Sequence, residues 1–117
     1  MAFIRHFIRV PELPHEIRDQ FNAAEVVEYL TPEKGALKED QPIVRMKTWW
    51  AVFDVVSTAK GRVEKNLYDN PAIRGCRIAI GEPLSLVFTD PDEIVGREEP
   101  FCILRVVQTL REKPKKE

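Results

Sequence analysis

The sequence predicts an α+β domain: a mostly antiparallel sheet, curled or closed into a small β-barrel, with one N-terminal amphipathic helix. Three observations carry this expectation. Apolar residues between Pro14 and Leu30 recur at three- and four-residue steps, the period of a helix with one buried face. Two alternating runs flank Gly81-Glu82-Pro83, as the arms of a hairpin would. The other apolar runs are short, rich in β-branched and aromatic residues, and bounded by turn residues.

A chain of 117 residues has room for a single core. Residues 1–110 are expected to form that domain. Residues 111–117 form a charged tail with too little apolar surface to order itself.

Residues 3–10 read as the first strand, with Phe3, Phe7 and Val10 interleaved with Arg5, His6 and Arg9. Pro11 and Pro14 break it. The helix is expected over residues 14–30. Pro14 suits its first turn, and Ile17, Phe21, Ala24 and Val27 lie on its apolar face. Thr31-Pro32 stops it, since proline disfavours helical geometry in the preceding residue. A charged loop follows to Pro42.

Ile43–Ser57 carries both strand and helix signals. Val44, Met46 and Trp50 alternate with Arg45 and Lys47, whereas Trp49, Val52, Phe53 and Val56 also fit helical spacing. The β-branched and aromatic content favours a strand, and Gly61 would interrupt a helix running on from it. Ser57–Gly61 reads as a turn into a short strand near residues 62–68.

Cys76, Ile78 and Ile80 then alternate as one hairpin arm, and Leu84, Leu86 and Phe88 as the other. Asp90-Pro91-Asp92-Glu93 has the cap, the proline and the Glu of a helical turn, with Gly96 at its exit. Phe101–Leu110, apolar on both faces through Val107, is expected to be a central strand of the same sheet as the hairpin.

Composition narrows the function more by exclusion than by motif. No apolar run approaches the ~20 residues of a membrane-spanning helix. Charges interrupt the first ten residues where a signal peptide needs an apolar stretch, so a cytoplasmic location is expected. Net charge is −1 and evenly spread, without the basic arm of a dedicated nucleic-acid binder. Cys76 and Cys102 sit in apolar stretches and are read as small core hydrophobes rather than a disulfide. With His6 and His15 they lack zinc-ligand spacing, so neither metal nor cofactor is expected.

The turn Ser57-Thr58-Ala59-Lys60-Gly61-Arg62 offers hydroxyls and cations to a phosphate but lacks the first Gly and the spacing of a nucleotide-binding loop. The acidic group Asp90, Asp92, Glu93, Glu98 and Glu99 is explained by capping and solubility. Trp49-Trp50 is the compositional oddity: on a strand the two rings would face opposite sides, so at most one enters a one-sided core, and the other either lies under the helix or is exposed as an anchor for a partner.

A non-enzymatic interaction module or accessory subunit is therefore the favoured reading, its partner another protein or a second copy of this chain. Its contact residues would be Trp49, Trp50, Lys60, Arg62, Arg74 and Arg77. The alternatives are a small barrel binding single-stranded nucleic acid through the same residues, and an enzyme whose site is assembled from distant positions.

Overall fold

Nine strands in two antiparallel sheets make up the described part of the chain, residues 3–73 and 75–114 of the computed structural model. They are β1 (Ile4–Arg9), β2 (Ala23–Tyr29), β3 (Ala36–Leu37), β4 (Pro42–Lys47) and β5 (Ala51–Ser57). Then come β6 (Gly61–Asn66), β7 (Arg77–Ala79), β8 (Pro83–Thr89) and β9 (Cys102–Thr109). One sheet has the order β1-β8-β6-β3, the other β7-β2-β4-β5-β9. A 3-10 turn at Pro71–Ile73 and the four-residue α1 (Pro91–Ile94) are the only helical elements among the described residues.

The helix expected over residues 14–30 is absent. Two hydrogen bonds onto the Pro14 carbonyl, from the N–H groups of Ile17 and Arg18, close a single turn. Asn22 then takes a left-handed conformation (φ 51°) that ends any helical run, and β2 begins at Ala23. The helical spacing joined two unrelated pieces. Ile17 belongs to the turn and is buried, whereas Ala24 and Val26 point inward from a strand. Phe21, expected to face the sheet, is 51% exposed.

The expected barrel is absent too, because both sheets stay open at their ends. The hairpin across Gly81-Glu82-Pro83 does not form either. Both segments are strands, but β7 pairs with β2 while β8 lies between β1 and β6 in the other sheet. Gly81 (φ 90°) turns the chain against β1 instead: Gly81 and Val10 are joined by an N–H···O bond of 2.9 Å, and Val10 bonds on to Glu82. Alternation reports which face a side chain takes, not which strand lies alongside. β9, expected to be central, is an edge strand bonded to β5.

Ile43–Ser57 is β-structure, as the residue types favoured, but it divides into β4 and β5 around a bend at Thr48-Trp49-Trp50. The Thr48 hydroxyl accepts from the N–H groups of Trp50 (3.1 Å) and Ala51 (3.2 Å), which fixes that bend.

One apolar core draws on both sheets. Ile8, Val63, Leu84 and Val87 come from the first, Val26, Val44, Met46, Phe53 and Val55 from the second. The least dimension of the molecule, 20 Å, suits two layers whose faces stack about 10 Å apart. One polar link crosses between the sheets, and a second ties the first sheet to the loop after β2. The Tyr29 hydroxyl donates to the Leu84 carbonyl (2.6 Å) and accepts from the Tyr68 N–H (3.1 Å). Asn66 takes the Ser85 hydroxyl (2.8 Å) and donates to the Thr31 carbonyl (3.0 Å). Buried polar groups satisfied in this way fix the relative position of the layers without a desolvation penalty.

Candidate functional site

The bend after β4 carries Trp49 outward and Trp50 inward. Trp49 is 60% exposed, while Trp50 is half-buried and packs on the core. The chain leaving β9 returns along this bend. Leu110 donates its N–H to the Trp50 carbonyl (2.7 Å), and the Arg111 side chain donates to the Trp49 carbonyl (2.8 Å). That places the Arg111 guanidinium 3.5 Å from the centre of the Trp49 ring. Lys113 reaches the carbonyls of His15 and Arg18, with its ammonium 5.4 Å from the Trp50 ring.

Opposite, the Arg77 guanidinium lies 3.8 Å from the centre of the Phe21 ring. Between these two arginine–aromatic stacks are two adjoining clefts, of about 580 and 380 Å³, which share Asp19, Trp49 and Arg77. Their linings hold five cations (Arg18, Lys47, Arg77, Arg111, Lys113) against two carboxylates, Asp19 and Glu25. This basic aromatic surface stands on a chain whose net charge is −1.

Leu110 also lines the larger cleft, so the cleft reaches the end of β9. Ile103, Val106, Val107 and Leu110 are each exposed by 39–47%. Among the described residues β9 bonds on one side only, leaving the outward-facing half of its backbone donors and acceptors free along an eight-residue apolar edge. Edge strands are ordinarily kept short, charged or covered; this one has a single charge, Arg105.

The cross-strand registers explain how Arg105 is set. Glu28 on β2 lies opposite Arg45 on β4, Arg45 opposite Asp54 on β5, and Asp54 opposite Arg105 on β9. The row alternates in sign across four strands. Arg45 binds the buried Asp54 carboxylate through two hydrogen bonds of 2.8 and 3.2 Å, and stands 3.8 Å from Glu28. Arg105 is exposed at the open end of the row.

Of the residues expected to share a contact surface, Trp49, Trp50 and Arg77 do come together at the clefts. Lys60 and Arg62 do not. They follow the opposite end of β5, whose seven residues span roughly 23 Å. There they line a separate pocket of about 350 Å³ with Phe3, Phe88, Asp90 and Glu93. Arg74 lies outside the described residues.

The turn before Lys60 is self-satisfied, the Ser57 hydroxyl donating to the Ala59 carbonyl at 2.6 Å. A Cβ on Gly61 would come 2.3 Å from the Phe88 carbonyl oxygen, so this glycine is explained by close chain packing rather than by an anion. Phe21, Arg111 and Lys113 escaped the sequence reading, the first because helical spacing gave it to the core, the others because they sit in the charged tail. The exposed edge at β9 left no distinguishing signal, since a run apolar on both faces also describes a central strand.

Reactive groups are sparse elsewhere. Cys102 is buried, and burial pushes its thiol up to about 11, so it is not a thiolate near neutral pH. Cys76, read as core, is exposed beside Gly75, and both cysteines are free. His6 is buried with Nε2 2.7 Å from the Thr89 hydroxyl oxygen, and burial, partly opposed by the nearby Glu99 charge, holds its pKa below 6.5. Among the described residues no three His, Cys, Asp or Glu side chains converge to hold a metal, and no helix is long and apolar enough to cross a membrane. Asp90 caps α1, accepting from the Asp92 N–H at 2.9 Å.

Comparison with protein-family models, with curated proteins and with solved structures finds no match for this chain.

Proposed function

We propose that this chain is a non-enzymatic interaction module that docks a protein partner along the β9 edge and the adjoining Trp49 cleft. The observation that carries this reading is β9 itself: a long edge strand with unpaired backbone groups and three exposed apolar side chains, a fourth (Leu110) following directly after it. Adding a strand to such an edge satisfies its backbone donors and acceptors and covers its side chains in one step. Trp49 and the arginines beside it are residue types that supply much of the energy of compact interfaces.

Comparing edge variants in capture experiments from cell extract tests the reading. Val107 has no partner in the β5 register, because the ladder skips from Val106 to Gln108 there. Val107→Lys therefore blunts the edge without breaking the β5–β9 ladder. A specific protein retained by the wild type and by Arg62→Glu, but lost with Val107→Lys, supports the edge. Equal retention by all three contradicts it.

A second reading, single-stranded nucleic acid lying across Phe21 and Trp49, draws on the excess of cations in the clefts. Steep weakening with added salt distinguishes it from a mainly apolar contact.

A further inference from the structure

We infer that the segment received by β9 is an extended strand of a different protein, in which apolar residues alternate with acidic ones and one carboxylate lies opposite Arg105. This rests on the reading of β9 as the docking edge and names the chemistry of its occupant.

Two independent features call for acidic residues. The first is the row Glu28, Arg45, Asp54, Arg105, whose alternation stops at the free edge on a cation. An added strand continues that alternation with Asp or Glu, as opposite charges across strands favour pairing and like charges oppose it. The second is the cleft at the end of β9. Glu25 there is already 3.8 Å from Lys47, whereas Arg77 and Arg111 stack on aromatic rings and have no carboxylate within ion-pair distance among the described residues. A peptide continuing past Leu110 brings its next acidic side chain toward Arg111, with Arg77 farther across the cleft on β7.

The apolar half of the pattern follows from Leu104 and Val106, which alternate with Arg105 onto the other face of β9 and which an arriving strand must cover.

The same features select against the other occupants. β9 contains no acidic residue, so a second copy leaves Arg105 uncompensated in any register, and pairing centred on it sets two arginines face to face. A phosphodiester backbone supplies acceptors but no regular N–H donors for the β9 carbonyls. It suits the cleft and not the edge.

The test uses the intact chain with three fluorescent probes: a short peptide alternating valine and glutamate, the same peptide with lysine for glutamate, and oligothymidylate. Binding is followed by anisotropy, and hydrogen exchange locates it. The glutamate peptide is expected to bind and to protect the β9 amides. Arg105→Glu should weaken it roughly tenfold or more, and should recover binding with the lysine peptide.

Arg105→Gln, which adds no charge beside Asp54, provides an intermediate loss if the reversal perturbs folding. Equal binding of both peptides with β9 protected overturns the acidic preference but leaves the edge standing. Failure of both peptides to protect β9 overturns the acidic preference and the edge alike. Oligothymidylate binding at the cleft, with β9 unprotected, assigns the surface to nucleic acid and overturns the inference.

Discussion

His6, which is buried, and Tyr29, which is half-buried, each tie strands together and make the stability of the fold depend on pH in a defined direction. His6 is held neutral in the folded chain, mainly by burial, so its folded pKa lies below 6.5. As pH falls through about 6.5 the unfolded chain takes up a proton that the folded one resists. Stability should therefore drop on acidification below that value and level off beneath the folded pKa. Urea unfolding at about pH 7 and pH 5 should show a smaller difference for His6→Gln than for the wild type.

Tyr29 behaves in the opposite sense. Burial pushes its phenol up to about 12, so its stabilisation is complete below pH 10 and lost as pH rises through 12. Of the two tyrosines, one should show phenolate absorbance only near that value, and Tyr29→Phe should remove this component. The same substitution leaves the Tyr68 N–H without its acceptor and the Leu84 carbonyl with only the Leu67 N–H, at a cost of about 1–2 kcal/mol.

Among the elements, β2 shows how local spacing misleads. Ile17, Phe21, Ala24 and Val27 sit at helical intervals, yet the left-handed Asn22 divides them between a turn and a strand. Asn22 is a residue type that tolerates the left-handed region, but the spacing of apolar residues ran across it, and the break there is made by pairing of the following strand with β4 and β7, which lie far along the chain. Phe21→Ala should accordingly cost less than about 0.5 kcal/mol, the scale of surface changes. Phe53→Ala, at a fully buried ring between the sheets, should cost about 3–5 kcal/mol.

The strand content of residues 43–66 was legible because β-branched and aromatic residues crowd there, and the capped turn at Asp90 because its signal is entirely local. The bend at Trp49 was not, because alternation through Val44, Met46 and Trp50 ran across it. That bend separates the two indoles by environment rather than by sheet face. Trp49→Ala should change stability by under about 1 kcal/mol while removing binding. Trp50→Ala should lose roughly half of the 3–5 kcal/mol expected for a fully buried ring.

At the scale of the whole molecule, the two sheets differ in how their edges are finished. In the β1-β8-β6-β3 sheet the β3 edge is two residues long, and β1 carries Arg5 and Arg9 among its exposed side chains. In the other sheet β7 is three residues long, and among the described residues only β9 offers a long apolar edge with a single charge. The binding reading therefore depends on sheet order. A sequence pattern cannot express that order, because a strand apolar on both faces reads the same at the centre and at the edge. Trp49, Trp50 and Arg77 were found from composition, but their relation to β9 arises from the chain folding back over Trp50 at Leu110. Hydrogen exchange along β9, in the free protein and in the complex it forms with its captured partner, tests this account most directly. Complex formation should slow exchange across Ile103–Thr109 and leave Gly61–Asn66 unchanged; protection confined to Gly61–Asn66, with β9 unaltered, would contradict it.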